Sequence, residues 1–118
     1  MNNFKDWLTH VLASDFPDDM IAINFNLYED VDDQWSVEFV GTSSFDPEDA
    51  DWACDEVFAT REAPYVFVRK AEWSEILDEV TTWLLDYFDN DSNATKMKLY
   101  KGIGVGFVDG DISILYSK

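Results

Sequence analysis

The sequence predicts an α+β fold: one domain over residues 1–118, with an antiparallel β-sheet packed against two α-helices and a C-terminal β-hairpin. Three observations predict it. Two segments space their apolar residues as one helix face does, several others alternate them, and an Asp-Gly pair separates the last two alternating runs. The chain has 118 residues, of which 47% are apolar, enough for one core. No repeat, low-complexity linker or second domain interrupts it.

Phe4, Trp7, Leu8, Val11 and Leu12 fall at helical spacing and predict a first helix from Phe4 to Asp15, with Asn2 or Asn3 as its cap and Pro17 beyond its end. Ile21, Ile23, Phe25 and Leu27 alternate with Ala22, Asn24, Asn26 and Tyr28, the pattern of a half-buried strand. After the acidic connector Glu29–Gln34, Trp35, Val37 and Phe39 alternate with Ser36, Glu38 and Val40 in a second strand. The two are expected to pair antiparallel and to end at Gly41–Ser44. Asp49–Trp52 suits a short helical turn, Asp55–Arg61 an edge strand, and Tyr65–Val68 another short strand. Trp73, Ile76, Leu77, Val80, Leu84, Tyr87 and Phe88 make the strongest helix face, from Ala71 to Asp89, with the acids mostly on the other side. Thr95–Lys101 is read as a short turn or strand. Gly102–Val108 and Ile112–Tyr116 flank the Asp109-Gly110 turn of the closing hairpin.

Charge narrows the partners. There are 25 acidic and 8 basic side chains, a net charge of −17. Residues 1–91 hold 23 acids against 4 bases, and residues 92–118 hold 2 against 4. The negative field therefore belongs to the first three-quarters of the chain, which a uniform solubility coat would not produce. Phosphate contacts need Lys and Arg, so nucleic acid is not expected as a partner, and neither is an anionic membrane. A basic protein is, because long-range attraction speeds its encounter. Cys54 is the only cysteine, which excludes an intrachain disulfide and suits a reducing compartment. No apolar run reaches membrane-spanning length and no signal peptide is legible, so the chain is read as soluble and cytoplasmic.

The stretch Phe45–Phe58 concentrates this chemistry. Six of its fourteen residues are acidic, set among Phe45, Trp52, Cys54 and Phe58. The expected arrangement holds rings against a core and fans carboxylates outward. The candidate partner-binding residues are Asp46, Glu48, Asp49, Asp51, Asp55 and Glu56 here, with Asp30, Asp32 and Asp33 of the connector. Trp52 is the expected exposed aromatic anchor.

Other constellations do not carry chemistry. Gly102, Gly104 and Gly106 are spaced G-x-G-x-G in an extended context, not as a dinucleotide fingerprint. They read as a strand on which a ring or helix packs closely. Asp89-x-Asp91-x-Asn93 begins like a calcium loop, but Ala94 and Tyr100 stand where Gly and Glu are required. Cys54, surrounded by acids that oppose a thiolate, is read as a packed structural thiol rather than the partner of His10, the sole histidine. No catalytic residue, metal site or cofactor is expected.

Trp52-Ala53-Cys54-Asp55-Glu56, a long Trp-bearing helix and the closing run Gly102–Asp111 give a layout that resembles the small acidic immunity proteins of polymorphic toxin and contact-dependent growth inhibition systems. The resemblance implies a cytoplasmic bacterial protein that binds and blocks a basic toxin domain, foremost a nuclease. These proteins share no functional signature, so it transfers no site residue. The readings from other classes are a small Asp/Glu-dependent or metal-dependent hydrolase and an acidic adaptor without inhibitory activity.

Overall fold

The computed structural model describes residues 3–108 and 110–117. Asn2, one of the two candidate caps, and Asp109 of the predicted hairpin turn lie outside the described residues. In chain order the elements are α1 (Asn3–Leu12), β1 (Ala22–Glu29), β2 (Gln34–Thr42), a 3-10 turn (Ala50–Cys54), β3 (Glu56–Ala59), β4 (Tyr65–Val68), α2 (Trp73–Asn90), α3 (Ala94–Met97), β5 (Gly102–Phe107) and β6 (Ser113–Ser117).

The α+β class holds, with helices packed on one sheet. That sheet has the order β3-β2-β1-β5-β6, with β4 also paired to β2. It is mixed rather than wholly antiparallel, because β1 and β5 run parallel. Parallel neighbours need a long crossover, and here everything from β2 to α3 supplies it. β3 and β4 follow one another along the same edge of β2, broken between Ala59 and Tyr65.

Register decides what each face carries. Phe25 stands beside Phe39 on one side and Val105 on the other, and Leu27 beside Val37 and Phe107. Side chains alternate along a strand, so these residues share the face that meets the helices. There they join Leu8 of α1, Ile76, Val80 and Leu84 of α2 and Met97 of α3 in one buried cluster. Each such side chain contributes roughly 1.5–3 kcal/mol of burial. Ring contacts tie the layers together: Phe16 stacks on Phe39 at 5.5 Å, and Phe4 of α1 meets Trp83 of α2 at 5.1 Å.

The opposite face, which the helices leave uncovered, carries Asn24, Asn26 and Tyr28 of β1, Ser36 and Glu38 of β2, and the β5 glycines. The acidic stretch folds back across part of it. A Cβ at Gly102 would stand 2.2 Å from the Phe45 ring, and one at Gly104 would crowd Ile112 at 2.7 Å and Trp52 at 3.3 Å. Side chains are absent from these two positions so that rings can lie on the strand, as their spacing predicts.

The remaining differences are local. α1 stops at Leu12, and Ile21 precedes β1 and is exposed. Residues Ala94–Met97 form a helical turn that overlaps the start of Thr95–Lys101, the segment read as turn or strand, and buries Ala94 and Met97. Asp32 and Asp33 both have positive φ, at 58° and 61°. Gln34 N–H bonds back to the Val31 carbonyl at 3.1 Å. The connector is thus a tighter hairpin turn than its length suggests, with two aspartates at corners this residue type tolerates better than most.

Candidate protein-binding surface

The structure separates the sequence-predicted site residues into two groups. Asp30, Asp32 and Asp33 lie where β1 passes into β2, and the group from Asp46 to Glu56 follows the far end of β2. Eight residue steps of strand, about 26 Å at ~3.3 Å each, separate those ends.

In the second group the carboxylates are fixed from within. Asp46 Oδ1 accepts the Glu48 N–H at 2.9 Å, Asp49 Oδ1 accepts the Asp51 N–H at 3.1 Å, and Asp55 Oδ2 accepts the Ser44 hydroxyl at 2.6 Å. Asp49 is thereby the N-cap of the 3-10 turn. Glu56 is held by Arg61 at 2.7 Å, a guanidinium it shares with Glu38. The Glu48 and Asp51 carboxylates have no partner among the described residues. All six are exposed.

Two expectations for this stretch are corrected. Trp52 is not an exposed anchor: it is 4% accessible, its ring edge-on to Phe45 at 5.0 Å and laid against Gly104. It holds the loop rather than a partner. Cys54 is exposed instead of packed, because the 3-10 turn directs only Trp52 inward. His10 lines a depression with Trp7 and Arg61 that Cys54 does not border, so no thiol–imidazole pair forms there.

The exposed aromatic residue is elsewhere. Trp73, placed on the core face by its spacing, is 58% accessible. Helical side chains lean toward the N-terminus, so a ring on the first residue of α2 projects past the helix end and off the core. It meets Phe107 edge-on at 6.0 Å and walls an open cleft of ≈ 660 Å³. Leu27, Phe107 and the exposed Val108 give the cleft apolar lining, and the charged lining residues are Glu29 and Asp30, both acids. Asp30 is braced by the Ser36 hydroxyl and, at 3.4 Å, by Gln34 Nε2. Asp32 and Asp33 are exposed beside it, with Val31 between at 78% accessible. The nearby Arg69 guanidinium is engaged by Glu79. An aromatic wall, apolar lining and an acidic rim make a surface suited to an apolar, cationic segment of another protein.

Tyr28 separates this cleft from a second depression on the uncovered sheet face. Its hydroxyl donates to Glu38 Oε1 at 2.8 Å, and Glu38 is buried. Burial first, and then the Glu38 carboxylate, push the Tyr28 phenol up to about 12. An unfolded tyrosine ionises near pH 10. The stability Tyr28 contributes by staying protonated is therefore complete below pH 10 and is lost as pH rises through 12. Denaturant titrations from pH 9 to 11.5 should show a steeper loss for the wild type than for Tyr28→Phe; equal slopes would disprove the linkage.

Among the described residues, no group of three or more His, Cys, Asp and Glu is arranged to hold a metal ion, and no helix is long and apolar enough to cross a membrane. No family model matches the chain, and no curated protein or solved structure matches it either.

Proposed function

We propose that this chain is an immunity protein: it binds a basic toxin domain, foremost a nuclease, and neutralises it in the cytoplasm. The observation that carries the reading is the exposed Trp73 on an apolar cleft whose rim is acidic. Exposed tryptophan is costly to leave in water and is a common centre of binding energy. The carboxylates at the two ends of the sheet have different roles in this reading. Glu29, Asp30, Asp32 and Asp33 stand beside the anchor and match Lys and Arg on the partner. The group around the 3-10 turn lies away from the cleft and adds to the attractive field that speeds encounter. A nuclease suits such a surface because its own phosphate-binding groove is cationic.

The test is capture by the tagged chain, identification of the companion, and titration of the companion's activity. The expected companion is basic, loses its activity at a stoichiometric ratio, and associates more slowly as salt screens the attraction. An acidic companion would overturn the proposal. A basic one that keeps full activity when saturated would leave an adaptor, and turnover of a substrate by the chain alone would make it an enzyme.

A further inference from the structure

The second depression, ≈ 240 Å³, is lined by Tyr28, Ser36, Glu38, Arg61 and Pro64. Its base is a buried carboxylate that the fold leaves incompletely bonded. Glu38 Oε1 accepts the Tyr28 hydroxyl, but Glu38 Oε2 has no hydrogen-bond partner. Arg61 Nε lies 2.9 Å from Oε2 as an ion pair without hydrogen-bond alignment, while the end of the same guanidinium bonds Glu56 at 2.7 Å. Arg61 is thus divided between two acids, and its side chain is 60% accessible, whereas that of Glu38 is 2%. One guanidinium thus faces two carboxylates, and one Glu38 oxygen keeps unused acceptor capacity in a place where that is costly. One residue pair further along the same face, Asn24 Oδ1 is also buried without a partner.

We propose that this depression is a seat for an arginine side chain presented by a bound protein, with Arg61 standing at its edge and moving aside to Glu56 on binding. A guanidinium is the fitting head group. It is planar, always charged, and forks two N–H groups toward a carboxylate, which an ammonium does not. The Tyr28 ring and Pro64 supply flat apolar walls for its faces. At ~30 Å³ per water the space has room for several waters, so a guanidinium fits without opening the fold. The source of the arginine rests on the protein-binding reading above, whose cleft shares Tyr28 with this seat. The chemistry of the seat does not.

Arg61→Ala removes the resident group and leaves the seat open. Its thermal midpoint should rise by several degrees with tens of millimolar ethylguanidinium, well beyond the effect of equimolar sodium chloride. N-acetylargininamide, the same head group on a peptide-like stem, should match it. The rise should vanish in Arg61→Ala/Glu38→Gln. Equal responses to ethylguanidinium and salt, or rescue that survives Glu38→Gln, would overturn the seat. Rescue by ethylguanidinium but not by N-acetylargininamide would overturn its assignment to an arginine side chain. Should Arg61→Ala fail to fold, the wild type carries the same test: ethylguanidinium should move the Glu38 side-chain carboxyl carbon resonance well beyond the effect of equimolar sodium chloride, and an unmoved resonance would refute the proposal. None of these outcomes depends on a partner, so failure here is distinct from failure of the immunity reading.

Discussion

Trp52→Ala is expected to lower folding stability by about 3–5 kcal/mol, the range for removing a buried indole. The residue is 4% accessible and packs against Phe45 and the surface of β5 at Gly104. Its loss empties the seat on the uncovered sheet face and loosens the acidic stretch, whose remaining ties include the Ser44–Asp55 hydrogen bond, the Ser43–Asp55 backbone bond at 2.9 Å and the Glu56–Arg61 ion pair. For a domain with a net stability of roughly 5–15 kcal/mol this is a large share. Denaturant unfolding measures the loss, and hydrogen exchange locates it: the amides from Phe45 to Asp55 should lose protection first. Gly102→Ala approaches the same latch from the other side, because its new methyl would stand 2.2 Å from the Phe45 ring; a penalty of about 1–3 kcal/mol is expected from overpacking. A Trp52→Ala protein of unchanged stability would show that the indole is not core after all.

That expectation reverses the role the sequence suggested for Trp52, and the reason is general. Local periodicity reports which residues share a face of their own element, so α2 was legible through Ile76, Val80, Leu84, Tyr87 and Phe88, all buried as their spacing requires. Both hairpins were legible for the same reason, since the alternation of β1 with β2 and the Asp-Gly pair are local signals. What covers a face is not local. Asn24 and Glu38 occupy alternating polar positions that read as solvated, yet each is 1% accessible. Part of the acidic stretch lies over that side of the sheet, and the Arg61 side chain reaches Glu38 from its edge. The parallel pairing of β1 with β5 is hidden likewise, because partners such as Phe25 and Val105 lie 80 positions apart. The glycine spacing announced a close approach but not which ring would make it. Trp73 failed for a geometric reason: a helical wheel treats every position alike, whereas the first residue of a helix leans past its end. An abrupt Glu72-Trp73 step at the start of the stripe was the available signal. Of the candidate residues, Asp30 lines the cleft with Asp32 and Asp33 at the adjoining turn; Trp52, expected to be exposed, is buried, and Trp73, expected to be buried, is exposed.

Trp73→Ala is the matching prediction for binding. An exposed tryptophan that anchors an interface typically contributes 2 kcal/mol or more, so the variant should bind its basic partner at least ~30-fold more weakly, mostly through faster dissociation. Its folding stability should change little, since the ring is 58% accessible and its one ring partner is Phe107. Reversing Asp32 and Asp33 to lysine should act differently. These side chains sit at an exposed turn beside the cleft, where a charge governs the approach of the partner more than its residence. The reversal should slow association and flatten its salt dependence while leaving dissociation nearly unchanged. The two variants thus separate anchor from rim in one surface-binding experiment with resolved rates. If Trp73→Ala dissociates as slowly as the wild type and remains folded, the cleft at the end of β1 and β5 is not the interface. If it loses binding only in proportion to a loss of folding, the ring is structural, as its spacing first implied. Trp52→Ala supplies the contrast, because its binding defect should track the population unfolded and disappear once concentrations are corrected for it.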